Sequence, residues 1–244
     1  MFVRFFHNRS RSYNVNRFYK LNKFINIRNT YSSETFSDGK GFEVSFNKYG
    51  EMAQGSVVCM KNGALIHSTI CSSYLSDPEV DSLPLNVDYK DKYYSRGKIP
   101  GTSMRREKHG SEEEILVARA IDRAVRPLFP PGYNRDIHLS ITAHSLDNVA
   151  DPVVMAVNAT SCSLLSSRLE WNGPIGCARV ALVDGELIVN PTVPELNRSP
   201  LNLLYAGSEH GTLMLVHSNV LLRELTTYTF LPHPDVSRLL SGSK

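Results

Sequence analysis

The sequence predicts an α+β fold: a mixed sheet with helices on one face. Three observations carry this reading. Apolar and polar residues alternate through paired segments joined by short turn signals. Only two segments begin with strong helix start signals. Those two follow one another between hairpins, an order that suits a layer of helices on a sheet.

The elements follow in order. FEVSFNKYG (42–50) and GSVVCMKNGALIHSTICSSYL (55–75) read as strands, with Lys61-Asn62-Gly63 as a hairpin turn. SLPLNVDYKDKYYSRGKIPG reads as a short strand leading into a basic loop. The first helix starts at Ser111, because a serine followed by Glu112, Glu113 and Glu114 makes a capping box and sets three acids against the positive helix end. Pro127 ends it, since its ring clashes with the preceding turn. Ile115, Leu116, Ala120, Ile121 and Val125 are expected to pack on the core. The second helix starts at Asp151-Pro152, a cap followed by the proline favoured at the first helical position. Its VVMAVNATSCSLLSS is small and apolar enough to be buried against a sheet. CARVALVDGELIVNPT reads as a hairpin turning at Asp184-Gly185, and LNLLYAGSEHGTLMLVHS as another turning at Ser208–Gly211. ELTTYTFLPHPDVSRLLSGSK has no clear period.

Charge divides the chain unevenly. Residues 1–33 carry seven basic residues and no acid, which leaves 20 basic against 24 acidic in the remainder, a net of −4. Rich in arginine and serine and without an unbroken apolar core, this leader has the composition of a mitochondrial transit peptide; the other reading is a basic arm that binds nucleic acid directly. No later stretch approaches the ~20 apolar residues that span a bilayer. Cys59, Cys71, Cys162 and Cys177 are too scattered for a CxxC pair, a zinc site or a readable disulfide framework, and fit reduced thiols. HExxH, GxSxG, the P-loop and GxGxxG are missing, and no carboxylates pair convincingly for metal work, so neither catalytic nor metal-ligating residues are assigned.

The segment IPGTSMRREKHGSEEEILVARAIDRAVRPLFPPGY (99–133) carries the chemistry. From Lys90 to Arg135 there are eleven basic and six acidic residues, net +5; the rest of the chain beyond the leader has nine basic and eighteen acidic, net −9. Focused positive charge on an acidic body is the footprint of a polyanion site. Arg105 and Arg106 sit in the loop. Arg119, Arg123 and Arg126, spaced i, i+4, i+7, share one helix face, and Asp122 can neutralise part of that row. A guanidinium fork meets phosphate oxygens in pairs, so these five arginines are the candidate RNA and phosphate contacts. Helix arginines at such spacing also serve as structural ion-pair partners. Tyr89, Tyr93 and Tyr94 lie just upstream as possible stacking rings for single-stranded RNA, or as core and surface residues.

KIPGTSMRREKHGSEEEILVARAIDRAVRPLFPPGY resembles the signature of polynucleotide phosphorylases in their first RNase PH-like core. MAQGSVV (52–58), WNGPIG (171–176), DGELIVNPT (184–192) and LNLLYAG (201–207) occur in the matching order. With the leader, the resemblance is to the mitochondrial form of animals and their relatives. It implies an RNase PH-like core of ribosomal-protein-like βαβ type. It also implies 3′-to-5′ phosphorolysis of RNA with inorganic phosphate, releasing nucleoside diphosphates, dependence on Mg²⁺, and a homotrimeric ring around an RNA channel. The matching arginine pair, Arg105 and Arg106, contacts RNA at that channel in the family, with Arg119, Arg123 and Arg126 nearby. DNA and membrane are not among the expected partners. Ser103 and Met104 stand where the bacterial pattern has two phenylalanines, and Lys61-Asn62-Gly63 replaces a Gly-Asp-Thr turn. The family's phosphate-binding serines and metal-binding aspartates belong to a second core that the sequence does not contain. The organisation expected is a leader at 1–38, an RNase PH-like domain at 39–222 and a truncated tail at 223–244. Two functions remain in competition: a mitochondrial polyribonucleotide nucleotidyltransferase of which this is an N-terminal part, and a non-catalytic RNA-binding and ring-forming scaffold.

Overall fold

The structure, a computed structural model, describes residues 34–37, 42–76, 83–101, 110–147, 149–183, 185–208 and 211–218. The expected leader up to Ser33, Arg105 and Arg106, and the expected tail lie outside the described residues.

Two sheets form the frame. In the first, the order is β1 (Glu34–Ser37), β2 (Phe42–Phe46), β3 (Gly55–Lys61), β4 (Ala64–Ser76), β6 (Arg135–Ser145), β5 (Leu85–Asp91). All its pairings are antiparallel except β5 with β6. The second sheet runs β10 (Gly211–Ser218), β9 (Asn202–Ser208), β7 (Gly176–Val183), β8 (Glu186–Val189), antiparallel throughout. Two long helices, α1 (Glu112–Val125) and α2 (Pro152–Ser166), cover one face of the first sheet. Helix α1 packs mainly on β5; α2 lies on β3 and β4 and meets β7 on its other side. The predicted α+β class holds, with helices on one face of a mixed sheet.

Strand β6 is the element the sequence reading passed over. It sits between β4 and β5, and β5, α1 and β6 make the βαβ unit of the fold. Its signal was present: Ile137, Leu139, Ile141 and Ala143 alternate with polar residues and are buried. Strand β1 forms inside the interval expected to be leader, paired to β2 at the sheet edge. The helix α3 (Val193–Arg198) was also unforeseen, although Thr192 and Glu195 make a capping box there.

Both predicted helix starts are built as their side chains dictate. Ser111 accepts from the Glu114 amide at 3.2 Å, and Glu114 returns to the Ser111 amide at 2.6 Å. Asp151 accepts from Val153 at 3.0 Å. One packing expectation fails. Ile121, Ala124 and Val125 are buried, but Ile115 is exposed and Leu116 is 65% exposed. They fall on the outer side of α1, because Val117, Ala118 and Ile121 fill the side that meets the core.

Helix α2 is buried nearly all round, and the sheet meets it at backbone distance. A Cβ built on Gly55 would stand 2.5 Å from the Ser163 carbonyl oxygen. Gly55→Ala is therefore expected to lower stability by about 1–3 kcal/mol, read from the urea midpoint. Beside this contact Ser68 and Ser163 share a hydrogen bond at 2.9 Å, so the buried hydroxyls are satisfied.

Three of the four thiols are buried; Cys71 is exposed on β4. A hydrogen bond with Cys162, together with burial, pushes Cys59 well above the ordinary thiol range. Burial pushes Cys177 up to about 12. Thiolate, not thiol, is the nucleophile. An aromatic disulfide reagent at pH 8 is expected to react rapidly with one thiol per native chain and with all four after unfolding. A Cys71→Ser variant should abolish the rapid phase.

Candidate nucleic-acid interface

The basic segment is anchored at both ends by one carboxylate. Glu114 Oε2 receives the Ser111 amide, and its Oε1 receives the Asp91 amide at 2.7 Å. The start of α1 is thereby tied to the end of β5. A 3-10 turn, Tyr93–Arg96, follows β5, and Gly97 closes it with φ +65°, a conformation that favours glycine. The turn is held inward by Ser95, which donates to Asp91 at 2.7 Å and whose carbonyl accepts from Leu146 at 2.9 Å.

The cations around this anchor divide into two groups. Arg96 donates to Asp91 at 2.8 Å, and Lys90 lies 2.6 Å from Asp88. Arg126 is placed differently from its two helix neighbours. Its Nε and Nη2 meet the Asp122 carboxylate at 2.7–3.1 Å, and its Nη1 donates to the Leu83 carbonyl at 2.8 Å. Those bonds fasten the chain entering β5 to the end of α1, so the fork of Arg126 is used within the fold. Asp122 thus serves Arg126 rather than Arg123. Arg119 and Arg123 are exposed and bond to no described residue. They are the sequence-predicted pair that the described structure leaves turned to solvent, on the helix that follows the segment carrying Arg105 and Arg106.

The three upstream tyrosines also separate. Tyr89 is in the core, where burial pushes its phenol far above the ordinary range. Tyr93 and Tyr94 are exposed. Tyr94 stacks with His144, a residue of β6 that the sequence reading did not single out. Their fifty-residue separation leaves no local pattern to find.

The order of motifs also has a physical basis. WNGPIG leads from the end of α2 to β7, and its Asn172 amide donates to Leu128 at 2.9 Å, just beyond α1. The Trp171 ring lies so close to Gly173 that a Cβ there would stand 2.0 Å from it. Among the described residues, no three or more His, Cys, Asp or Glu side chains are gathered to hold a metal ion. The donor set among the described residues does not fit Mg²⁺. No helix of the described residues is long and apolar enough to cross a membrane.

Comparison with known proteins agrees with this geometry. Residues 38–170 match the model of the 3′ exoribonuclease family, domain 1, and residues 173–226 that of domain 2. The chain is 44% identical over 201 residues to polyribonucleotide nucleotidyltransferase 2, mitochondrial, of Oryza sativa subsp. japonica, covering 79% of this chain and 20% of the relative. The Arabidopsis thaliana protein of the same name is 40% identical, with 81% and 20% covered. A polyribonucleotide nucleotidyltransferase of Thermus thermophilus is 36% identical, with 78% and 26% covered. The chain thus spans about a fifth to a quarter of the length of these relatives. Among solved structures, rice Rrp46 superposes with a TM-score of 0.60 at 12% identity, covering 77% of this chain and 84% of that one. A shared fold is what that likeness shows, and it is the RNase PH-like fold expected from the motifs. With both of its domain models matched in order across the two sheets, the chain belongs to the 3′ exoribonuclease family of RNase PH-like proteins.

Proposed function

We propose that this chain is the RNA-holding first core of a mitochondrial polyribonucleotide nucleotidyltransferase, an enzyme that removes nucleotides from the 3′ end of RNA by phosphorolysis. The observation that carries the proposal is the 44% identity to a mitochondrial polyribonucleotide nucleotidyltransferase along most of this chain. The exposed Arg119 and Arg123, on the helix that follows the Arg105-Arg106 segment, support it. In phosphorolysis an inorganic phosphate oxygen attacks the phosphorus of the 3′-terminal phosphodiester in line, the bond from that phosphorus to the 3′ oxygen of the preceding nucleotide breaks, and the terminal nucleotide is released as a nucleoside diphosphate. The role proposed for this chain is to bind and orient the strand. Arg105 and Arg106, with Arg119 and Arg123, would take backbone phosphates in charge-assisted pairs. Arg126 would support them by fixing the end of α1. Mg²⁺ and the reacting groups would be supplied by a second core, and the assembly would be a homotrimeric ring.

Two measurements test this. With short poly(A), phosphate and Mg²⁺, the isolated 244-residue chain is expected to bind RNA without releasing ADP. Release of ADP would show that turnover needs no second core. In RNA binding, Arg105→Ala with Arg106→Ala is expected to flatten the log–log salt dependence by about 1.4, two phosphates at ~0.7 each for single strands. An unchanged slope would remove these residues from the phosphate contacts. The scaffold reading, in which the chain builds a ring and holds RNA with no enzyme attached, predicts the same binding. It differs in that adding the second core of a relative would not restore ADP release.

A further inference from the structure

Four rings from four separate parts of the chain form a row on the face of the first sheet that the helices leave open. Tyr49 lies in the loop between β2 and β3, His67 on β4, His144 on β6 and Tyr94 in the turn after β5. His67 and His144 stand on the side of their strands opposite the buried Ile66, Ile70, Ile141 and Ala143. Tyr49 meets His67 edge-on with centroids 6.2 Å apart. His67 and His144 stack at 5.9 Å, and His144 and Tyr94 at 6.4 Å, with planes 29° and 26° apart.

The row is held in place by its own polar atoms. The Tyr94 hydroxyl and His144 Nδ1 are 3.1 Å apart. Ser56 donates to the Tyr49 carbonyl, which leaves its oxygen to accept from His67 Nε2 at 3.0 Å. Burial first, and then the neighbouring His144, hold His67 below the ordinary imidazole range, so it is uncharged at neutral pH. The end rings are open: Tyr49 is 52% exposed and Tyr94 57%. At one end, the Lys48 ammonium lies 5.6 Å from the Tyr49 centroid. At the other, the chain runs from Tyr94 through Lys98 into the segment that carries Arg105 and Arg106.

We propose that this Tyr49–His67–His144–Tyr94 row is a base-stacking platform for single-stranded RNA, separate from the arginine segment. The inference rests on the RNA-holding role proposed above and adds a second surface to it. An exposed sheet face bearing aromatic rings is a recurring way to hold unpaired bases, because every base has a π-face to stack. On the same sheet face beside the row, Val58 opposite His67 is buried, Leu65 is apolar and half-buried, and Thr69, Ser140 and Thr142 are polar. The lysine at one end and the run of cations beyond the other suit a ligand with a base edge and a charged backbone.

The test uses the 244-residue chain and two probes of equal length, fluorescein-labelled oligo(A) and an abasic phosphodiester chain. Both carry the phosphates; only the first can stack. Tyr49→Ala with Tyr94→Ala is expected to weaken oligo(A) binding at least tenfold, to leave the abasic probe unaffected and to keep the salt slope of the wild type. Tyr94→Phe, which retains the ring but loses the hydroxyl bond to His144, is expected to weaken oligo(A) binding less than Tyr94→Ala does. Tyr94→Leu, which retains apolar bulk and so guards against loss of folding, is expected to bind oligo(A) as weakly as Tyr94→Ala. If the wild type prefers oligo(A) and the double variant prefers it equally, the platform is refuted while the RNA-holding role stands. If the wild type binds neither probe, that role fails and the platform with it. If sedimentation shows a dimer that Tyr94→Ala separates, the row is a contact between copies and the proposal is overturned.

Discussion

Arg179→Ala is expected to lower the folding free energy by about 3–5 kcal/mol, the largest loss of any single substitution considered for this chain. Arg179 lies on β7, and its Nε donates to Asp151, the residue that caps α2. The two side chains are only 12% and 10% exposed. Arg179 Nη1 also donates to Asn202 on β9 at 2.7 Å. One guanidinium thus joins the start of the central helix to two strands of the second sheet. Removing it strands a carboxylate in a poorly hydrated site, and that penalty, rather than the attraction lost, sets the magnitude. Urea unfolding followed by the fluorescence of Trp171, the single tryptophan, measures it. Asp151→Asn combined with Arg179→Met should recover a large part of the loss, because both charges are then gone. A single-variant loss below about 1 kcal/mol would mean that water reaches Asp151 freely.

Asn158→Ala is expected to lower stability by about 2–4 kcal/mol, since it orphans two buried backbone groups at once. Asn158 lies on α2 and acts as a strand edge would. Its Oδ1 accepts from the Cys177 amide at 2.8 Å, and its Nδ2 donates to the Cys177 carbonyl at 3.2 Å. Nearby, Ser161 accepts from the Ile175 amide at 2.9 Å. The helix therefore satisfies backbone groups of the chain as it enters β7. Asn158→Asp should fare no better, because a carboxylate offers no donor to the Cys177 carbonyl. The readout is again the urea midpoint, and amide exchange at Cys177 would separate loss of this bond from a general loss of packing. Unchanged protection at Cys177 in Asn158→Ala would show that another group takes over.

How much of this was legible before the structure depends on the range over which each feature is written. Capping is written within four residues, so Ser111 with Glu114 and Asp151 with Pro152 could be read directly, and both helices begin there. Turn chemistry is equally local: Asn62 adopts φ +54° and Gly185 +84° at two of the three predicted hairpins. The period-2 pattern of β6 was available but lay between two stronger helical signals. What the sequence could not display was partnership across the fold. Arg126 has the spacing of an RNA contact, yet the carbonyl of Leu83, forty-three residues earlier, occupies it. Leu116 looks like a core residue on a helical wheel, yet α1 meets β5 with its other side. His67 and His144 become neighbours only because β4 pairs with β6.

Glu114 gives the basic segment a particular evolutionary freedom. Since a single side chain clasps the residue at either foot of that segment, the span between can gain or lose residues without disturbing strand or helix. Closing a longer span adds only about 0.6 kcal/mol per doubling of its length. The reach and charge of that span can therefore drift independently of the scaffold that bears it.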